Sequence, residues 1–390
     1  MAQAPVSDVD LYSDAALSDP YPLYKTLRDA GPAVFLDKYG LYVLARYKDV
    51  HEALGNWQAF SSAHGVCMND TMNQALREGL LCSDPPRHNV LRKIIEAPLT
   101  PRALSELRER ITSEAEAHVE RLVTRGTFDA ATDLAHHLPV TIVSELVGLP
   151  DEGRERMLEW APANFDCFGP MNERTEKALK VVGEMVNYAF TQCVPGKLKP
   201  GGWAAKIWEA ADRGEIAKET CPFLMNDYMG PSLDTTIFAT ANAIMLFAQH
   251  PDQWDLIRNN PALIPQAINE VVRLESPIQH FSRYVTQAVE VDGVSVPEGA
   301  RAIVLFASGN RDERRWNAPE TFDVMRSGTA EHLGFGFGEH ACVGSHLARM
   351  EIRALLVALA KRVKRFELHE TARISNNILR GLSKCEVTVH

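Results

Sequence analysis

The sequence predicts a mainly α-helical protein with small β-sheets, folded as a single domain that spans residues 1–390. Three observations favour this class. Most of the chain follows a helical repeat of apolar residues, strand-like runs are short and clustered, and no internal repeat or low-complexity segment divides the chain. The stretch 194–202 is rich in proline and glycine, but it lies between predicted helices. We therefore interpret it as a mobile surface loop within the domain.

The helices are predicted from apolar residues that recur on one face. In segment 102–125 such residues follow each other every three or four positions, as one face of a helix requires. The same period predicts helices over 137–148, 173–192, 218–249, 263–275 and 345–363.

Short β-rich runs predict the sheets. Residues 33–36 and 41–45 flank a turn at 37–40, and a second group contains 284–285, 289–291 and 302–306. Asp292-Gly293 is typical of a two-residue hairpin turn, since both residues tolerate a left-handed backbone. A last pair of strands is predicted around 378–381 and 386–389.

Composition and charge exclude several classes of function. Hydrophobic residues make up 45% of the chain and the formal net charge is −10, so there is no basic footprint for nucleic acid. No apolar run reaches the roughly 18 residues that cross a bilayer, and residues 1–8 lack the features of a signal peptide. The seven cysteines are dispersed without a Cys-x-x-Cys pair, which indicates reduced thiols and a cytoplasmic protein.

The most informative stretch is 335–344, which reads Phe-Gly-Phe-Gly-Glu-His-Ala-Cys-Val-Gly and is followed at once by a predicted helix. A thiolate at Cys342 would lie near a helix N-terminus and among backbone N–H donors, which both favour the charged sulfur. The glycines would let a flat partner approach the backbone closely. The alternative is a free buried cysteine, the usual fate of a lone cysteine, but a pattern that fixes this many positions disfavours it.

This stretch resembles the haem-binding signature of the cytochrome P450 family, in which a cysteine thiolate binds the haem iron. The resemblance covers nearly the whole chain, from 18–22 to 379–382. It implies the cytochrome P450 fold, one haem b with Cys342 as the iron ligand, and a monooxygenase that uses O2.

Four further residues match the family's contacts to the haem propionates. His88 and Arg92 follow Asp84-Pro85-Pro86 and share one helical face, so both can donate charge-assisted hydrogen bonds. Arg283 and His340 match two further contacts. Each of the four is also compatible with an ordinary solvated charge, although their order along the chain argues against coincidence.

Asp234 and Thr235 match the family's acid–alcohol pair, in which the alcohol orients dioxygen and the acid supplies protons. An acid inside an apolar helix is costly unless it has a partner or a task. A threonine hydroxyl that bonds back to the i−4 carbonyl is the ordinary alternative. Where the family usually has small residues before the pair, this chain has Pro231-Ser232, so we expect a kinked helix.

Glu270 and Arg273 lie three apart and resemble the family's Glu-x-x-Arg pair, which ties its helix to the loop before the cysteine. Alone, such a pair is more often an exposed ion pair of little value. The family usually adds an arginine at the position of Thr321, where this chain has none. Arg326 is the predicted replacement.

Finer similarity, in stretches such as 61–66, 165–173 and 275–279, implies a bacterial branch that O-demethylates para-substituted aromatic acids such as 4-methoxybenzoate. Asn69 and Asp227 stand where that branch binds the substrate carboxylate. Asp227 shares a face of the predicted helix with Thr235, so it is expected to face the pocket, although a position in a salt bridge is an equal alternative.

The pocket residues decide between substrates. An ionised Asp227 would repel a benzoate and accept a hydrogen bond from a phenol. Phe165, Phe168 and Phe281 would form flat apolar walls, although core packing explains phenylalanines equally well. The prediction is O-demethylation of a small methoxy-aromatic, with a neutral methoxyphenol favoured over a methoxybenzoate. Hydroxylation of another small apolar molecule, such as a terpenoid, is the alternative.

The electron source is expected to be a separate protein. The chain has no flavin or nicotinamide fingerprint and no cysteine cluster for an iron–sulfur centre. The resemblance implies a [2Fe–2S] ferredoxin with its NAD(P)H-dependent reductase, and the basic residues Arg92, Lys93, Arg349 and Arg353 are candidates for its docking site. A peroxide-driven enzyme and a haem-thiolate sensor are the alternatives, and the Asp234–Thr235 pair argues against both.

Overall fold

The structure is a computed structural model that describes residues 2–151 and 153–390. Helices make up most of the described chain, as the apolar repeat predicts. In chain order the α-helices are α1 (Asp14–Ser18), α2 (Tyr21–Ala30), α3 (Tyr47–Gly55), α4 (Asp70–Leu76), α5 (Arg87–Glu96), α6 (Pro101–Ser105), α7 (Arg108–Arg125), α8 (Ser144–Val147), α9 (Met157–Asp166), α10 (Glu173–Thr191), α11 (Trp203–Asp212), α12 (Cys221–Met229), α13 (Asp234–Gln249), α14 (Pro251–Asn259), α15 (Ile264–Leu274), α16 (Phe306–Gly309) and α17 (Ser345–Arg362).

The strands form three small sheets. They are β1 (Val6–Ser7), β2 (Val34–Leu36), β3 (Leu41–Leu44), β4 (Phe60–Ser61), β5 (Thr127–Asp129), β6 (Phe281–Val285), β7 (Val289–Val291), β8 (Val294–Val296), β9 (Arg301–Val304), β10 (Phe366–Arg373) and β11 (Leu382–Val389). The largest sheet has the order β1-β2-β3-β9-β6-β4, the second has the order β10-β11-β5, and β7 pairs with β8.

Both predicted hairpins are present. Strands β2 and β3 pair antiparallel with Val34 opposite Val43, around the expected turn. Strands β7 and β8 are joined by Asp292 and Gly293, whose φ angles of 44° and 88° are left-handed. Such a turn matches the twist of the flanking strands, which explains the choice of Asp-Gly.

Residues 386–389 form part of strand β11 as predicted, but their predicted pairing with 378–381 is wrong. Strand β11 pairs with β10 on one side and with β5 on the other, and Leu379 instead forms an isolated bridge with Ile278. Residues 366–373 are mostly polar and partly exposed, so they carry a weak strand signal. Their pairing is decided by contacts that are distant in sequence.

The predicted helix over 218–249 is divided in two. Helix α12 ends at Met229 and α13 begins at Asp234, with Gly230-Pro231-Ser232-Leu233 between them. Pro231 has no N–H for a helical hydrogen bond and its ring disfavours the preceding turn. The expected kink is therefore a complete interruption. Segments 102–125 and 137–148 are also subdivided, the latter into a π-helical turn (Pro139–Val143) and α8.

Helix α13 forms the centre of the core. Its residues 236–247 are all buried, and it contacts α15, α17 and β10. One buried hydrophobic cluster includes side chains from Val66 to Val387, whereas most of the buried apolar residues before Val66 belong to two smaller clusters. Within 2–151 and 153–390, no helix is long and apolar enough to cross a membrane.

A buried ion network fixes the loop that precedes the cysteine stretch. Arg273 donates to both carboxylate oxygens of Glu270 at 2.7 and 2.9 Å, and both side chains are fully buried. Arg326 donates to Glu270 Oε1 at 3.0 Å and also binds the carbonyls of Asn317, Ala318 and Thr321. Arg326 therefore takes the place of the missing arginine, as predicted.

Candidate functional site

The cysteine stretch forms a tight loop whose glycines are needed for its shape. Gly336 and Gly338 have φ angles of 69° and 73°, in the region that favours glycine. A Cβ atom on Gly338 would lie 2.5 Å from the carbonyl oxygen of Leu54. The N–H of Cys342 donates to the carbonyl of Phe335 at 2.8 Å, which closes the loop just before α17. The other six cysteines are packed into the protein interior, whereas the Cys342 side chain faces an internal cavity.

The Cys342 thiol borders an internal cavity of about 240 Å³. Burial raises the pKa of this thiol, while the N–H groups of Gly344 and Ser345 and the guanidinium groups of Arg92 and Arg349 oppose the rise. The N–H donors that the sequence predicted are thus in place, but their lowering effect on the thiol pKa is smaller than the rise caused by burial. Ionisation of the sulfur then depends on a cation bound to it, as in other metal–thiolate sites.

His88, Arg92, Arg283 and His340 come together beside the cysteine loop. The rings of His88 and His340 lie 4.5 Å apart, and Arg92 donates to the carbonyl of Ala341 at 2.7 Å. Burial lowers the pKa of His340 to about 2 and also lowers the pKa of His88, so both imidazoles are neutral at pH 7. Burial also lowers the pKa of the Arg283 guanidinium to about 10.

These four side chains fit the carboxylates of a haem. Nε2 of His88 and Nε2 of His340 are buried and have no hydrogen-bond partner within the described part of the chain. Arg283 is 4% exposed and donates to the carbonyl of Ser282, but it has no carboxylate partner among the described residues. Such groups are costly to bury without an acceptor. Two propionates next to a cysteine thiol would supply the missing acceptors.

Asp234 and Thr235 lie at the first turn of α13, directly after the helix interruption. Thr235 borders the cavity, and its hydroxyl donates to the carbonyl of Pro231 over a long 3.4 Å. Asp234 is 4% exposed, and its Oδ2 has no partner among the described residues. Burial raises the pKa of Asp234 to about 8, so the carboxyl is protonated at neutral pH. Unlike Thr235, Asp234 is not among the residues that border the cavity.

Aromatic side chains form one wall of the cavity. Phe165, Phe168 and Phe281 all border it, with ring centroids 5.7 Å apart for the first pair and 5.9 Å for the second. These distances are typical of favourable ring contacts. The structure thus brings Phe281 next to Phe165 and Phe168, which are themselves only three residues apart in sequence.

The two polar residues predicted to bind substrate have different positions. Asp227 borders the cavity, although it lies on α12 and not on one continuous helix with Thr235. Burial raises the pKa of Asp227 to about 7, and it accepts a hydrogen bond from the N–H of Leu80 at 3.4 Å. Of the two alternatives, the structure favours the pocket, since Asp227 borders the cavity and forms no salt bridge with the described residues.

Asn69 is used for structure instead of substrate binding. Its Oδ1 caps α4 by accepting from the N–H of Met72 at 2.9 Å, and its Nδ2 donates to the carbonyls of Cys167 and Gly169 at 2.8 Å each. Its amide has no bonding capacity left for a substrate carboxylate, which corrects the expectation.

Several polar residues at the cavity were not predicted as site residues, among them Asn164, Asn226 and Glu351. Burial raises the pKa of Glu351 to about 8, and its Oε1 has no partner in the described chain. Glu351 lies three or four positions from Leu347 and Ala348, which also border the cavity. A polar residue on an otherwise apolar helical face is the signal that would have indicated it.

Comparison with known proteins gives a consistent result. A family model described as "Cytochrome P450" matches residues 29–148 and 209–383. A cytochrome P450 named CYP199A2 from Rhodopseudomonas palustris is 37% identical over 99% of this chain and 95% of its own length. Linalool 8-monooxygenase from Pseudomonas putida is 30% identical, over 100% of this chain and 99% of its own.

Solved structures share the fold. A cytochrome P450 named CREJ, in complex with (4-ethylphenyl) dihydrogen phosphate, superposes with a TM-score of 0.85 at 25% identity and covers 96% of this chain and 98% of its own. An intact type IV self-sufficient cytochrome P450 monooxygenase gives 0.84 at 26% identity over 98% of this chain. This chain spans only 53% of that longer protein.

The fold, the cysteine loop and the comparisons agree. The chain belongs to the cytochrome P450 family and is a haem-dependent monooxygenase.

Proposed function

We propose that this monooxygenase removes the methyl group of a small methoxy-aromatic compound, with O2 and electrons from a ferredoxin. The observation that carries the proposal is the cavity in which the Cys342 thiol, the Thr235 hydroxyl and three phenylalanine rings all take part. The aromatic wall favours a flat substrate, and its apolar surface excludes water.

Each residue around the cofactor has a defined task in this proposal. Cys342 binds the iron as a thiolate, and His88, Arg92, Arg283 and His340 hold the propionates. A bound haem supplies the activation of dioxygen and the insertion of one oxygen atom into a C–H bond.

The protein controls protons and orientation. Asp234, protonated at neutral pH, supplies protons toward the cavity, and the Thr235 hydroxyl, whose bond to Pro231 is long, is free to turn and pass them on. The phenylalanine rings hold the aromatic ring so that the methoxy group faces Cys342. Oxygen insertion into the methyl C–H bond gives a hemiacetal, which breaks down to a phenol and formaldehyde. The second oxygen atom leaves as water with two electrons and two protons.

Electrons are proposed to come from a [2Fe–2S] ferredoxin and its reductase. Of the basic residues near the cysteine loop, Lys93 and Arg353 are exposed and available to an acidic partner. Arg92 and Arg349 are partly buried, and Arg349 lies 4.2 Å over the ring of Phe335. Lys93 and Arg353 are therefore the stronger candidates for docking.

The test is turnover of holoenzyme with NADH and a surrogate ferredoxin system, with formaldehyde as the product measured. Methoxyphenols and 4-methoxybenzoate should yield formaldehyde in proportion to NADH consumed, and Cys342→Ser should yield none. Absence of formaldehyde from all methoxy-aromatics would refute the proposal.

Hydroxylation of a terpenoid is the second candidate, because a relative of 30% identity is named linalool 8-monooxygenase. Linalool belongs in the same assay as a separate arm. Turnover of linalool with no demethylation of any methoxy-aromatic would favour this candidate.

A further inference from the structure

Three polar side chains separate the main cavity from a smaller one. Asn164 on α9 and Asn226 and Asp227 on α12 border the cavity of about 240 Å³ and also a second cavity of about 90 Å³. We call these three residues the polar wall. Apart from them, the second cavity is lined mainly by apolar residues of α4, α10 and α12.

The polar wall has unused hydrogen-bond acceptors. Oδ1 of Asn164 and Oδ1 of Asn226 are buried and have no partner in residues 2–151 and 153–390. Asn164 as a whole is 2% exposed. Asp227 accepts one hydrogen bond, from the N–H of Leu80. Buried acceptors without donors cost free energy, so a donor from a bound molecule would relieve the cost.

The charges around the main cavity do not favour an anion at this wall. Among the described residues that border the cavity, the cationic side chains are Arg92 and Arg283. Both side chains lie beside the cysteine loop. Arg92 donates to the carbonyl of Ala341, and Arg283 is close enough to His340 to lower the pKa of that imidazole. A substrate carboxylate at the polar wall would face the Asp227 carboxyl and two amide oxygens, which cannot donate to it. The Nδ2 groups of Asn164 and Asn226 could donate to it, but no cationic side chain of the described residues at the wall would balance its charge.

We propose that the polar wall binds a hydroxyl group of the substrate as a hydrogen-bond donor, so that the enzyme prefers a neutral methoxyphenol to a methoxybenzoate. This inference rests on the proposed O-demethylation and specifies its substrate class. The hydroxyl donates to Asp227 or to one of the two amide carbonyls, while the ring packs against the phenylalanines and the methoxy group lies toward Cys342.

The test is titration of the ferric holoenzyme with 4-methoxyphenol, 4-methoxybenzoate and anisole, with binding measured by calorimetry and by the spin-state change of the Soret band. Anisole has the same ring and methoxy group but no donor. We expect 4-methoxyphenol to bind at least tenfold more tightly than either of the others, as one hydrogen bond to a buried polar group predicts.

Variants of the wall make the test specific. Asp227→Leu should weaken the binding of 4-methoxyphenol about tenfold and leave anisole within about twofold. Asp227→Asn keeps an acceptor oxygen and should retain most of the phenol affinity. Asp49→Asn is the matched control, because burial raises the pKa of the Asp49 carboxyl as it does that of Asp227, but Asp49 borders neither cavity. It should change none of the three affinities.

The outcomes separate the two proposals. Tighter binding of the benzoate, or an unchanged ratio of phenol to anisole affinity in Asp227→Leu, would overturn the role of the polar wall even if formaldehyde is still formed. Selective phenol binding without formaldehyde would support the wall and refute O-demethylation. If none of the three compounds binds, both proposals fail.

Discussion

Replacement of Arg326 by leucine tests the ion network that supports the cysteine loop. Glu270 is fully buried, and its charge is balanced by Arg273 and Arg326. Loss of Arg326 removes its bond to Glu270 and three bonds to backbone carbonyls. A hydrogen bond to a charged group contributes about 1.5–3 kcal/mol, and breaking a buried ion pair costs about 3–5 kcal/mol.

Because Arg273 still pairs with Glu270, we expect the free energy of unfolding to fall by about 3 kcal/mol, the lower end of the range for breaking a buried ion pair. With an unfolding entropy of about 2.1 cal/mol/K per residue, a chain of 390 residues has about 0.8 kcal/mol/K. The expected fall in Tm is therefore about 4 °C.

The assay is differential scanning calorimetry of holoenzyme samples with equal haem content. Arg213→Leu is the control, because Arg213 pairs with Glu215 at the surface with a side chain that is 57% exposed, and such pairs contribute about 0–1 kcal/mol. Thr321→Arg in the Arg326→Leu background should recover part of the loss, since the family carries its arginine at that position. A fall in Tm no larger than that of the control would refute the reasoning.

Three further predictions concern the site. Cys342→Ser should lose the absorption band that carbon monoxide produces with a thiolate-bound ferrous haem, because a serine hydroxyl does not ionise readily; an unchanged spectrum would contradict the ligand assignment. Thr235→Ala should consume NADH but divert it to hydrogen peroxide, whereas Asp234→Asn should slow turnover; unchanged product yield per NADH in Thr235→Ala would place proton delivery elsewhere. Asp227→Asn should stabilise the protein at higher pH. The pKa of Asp227 is 3.8 in the unfolded chain and about 7 in the folded chain. Wild-type stability therefore falls as the pH rises between these two values, because only the unfolded chain releases the proton. The advantage of Asp227→Asn in urea unfolding should grow over this window to about 4 kcal/mol and then remain constant; a difference that does not change with pH would refute the buried, protonated state.

The sequence by itself determined the features that depend on local pattern. The cysteine loop could be recognised from the sequence because Gly336 and Gly338, close to Cys342, adopt left-handed backbone angles that favour glycine. The shape of the loop therefore requires glycine at these two positions. The place of the helix break before Asp234 could be predicted because proline acts on its own turn, although the sequence predicted a kink and the structure shows an interruption. Arg326 was predicted from the resemblance, because the family carries an arginine at the position of Thr321 and Arg326 is close to that position in sequence. That Arg326 binds a buried Glu270 is seen only in the structure.

Only the tertiary structure decided which polar groups retain free bonding capacity. Asn69 and Asn164 are the same residue type, and the sequence does not show which of them has hydrogen-bonding groups to spare. The side-chain amide of Asn69 bonds to Met72, Cys167 and Gly169. The side-chain carbonyl of Asn164 has no partner among the described residues. The protonation state of Asp227 likewise depends on how deeply the packed helices bury it. Such properties arise from contacts between residues far apart in the chain, and no local pattern encodes them.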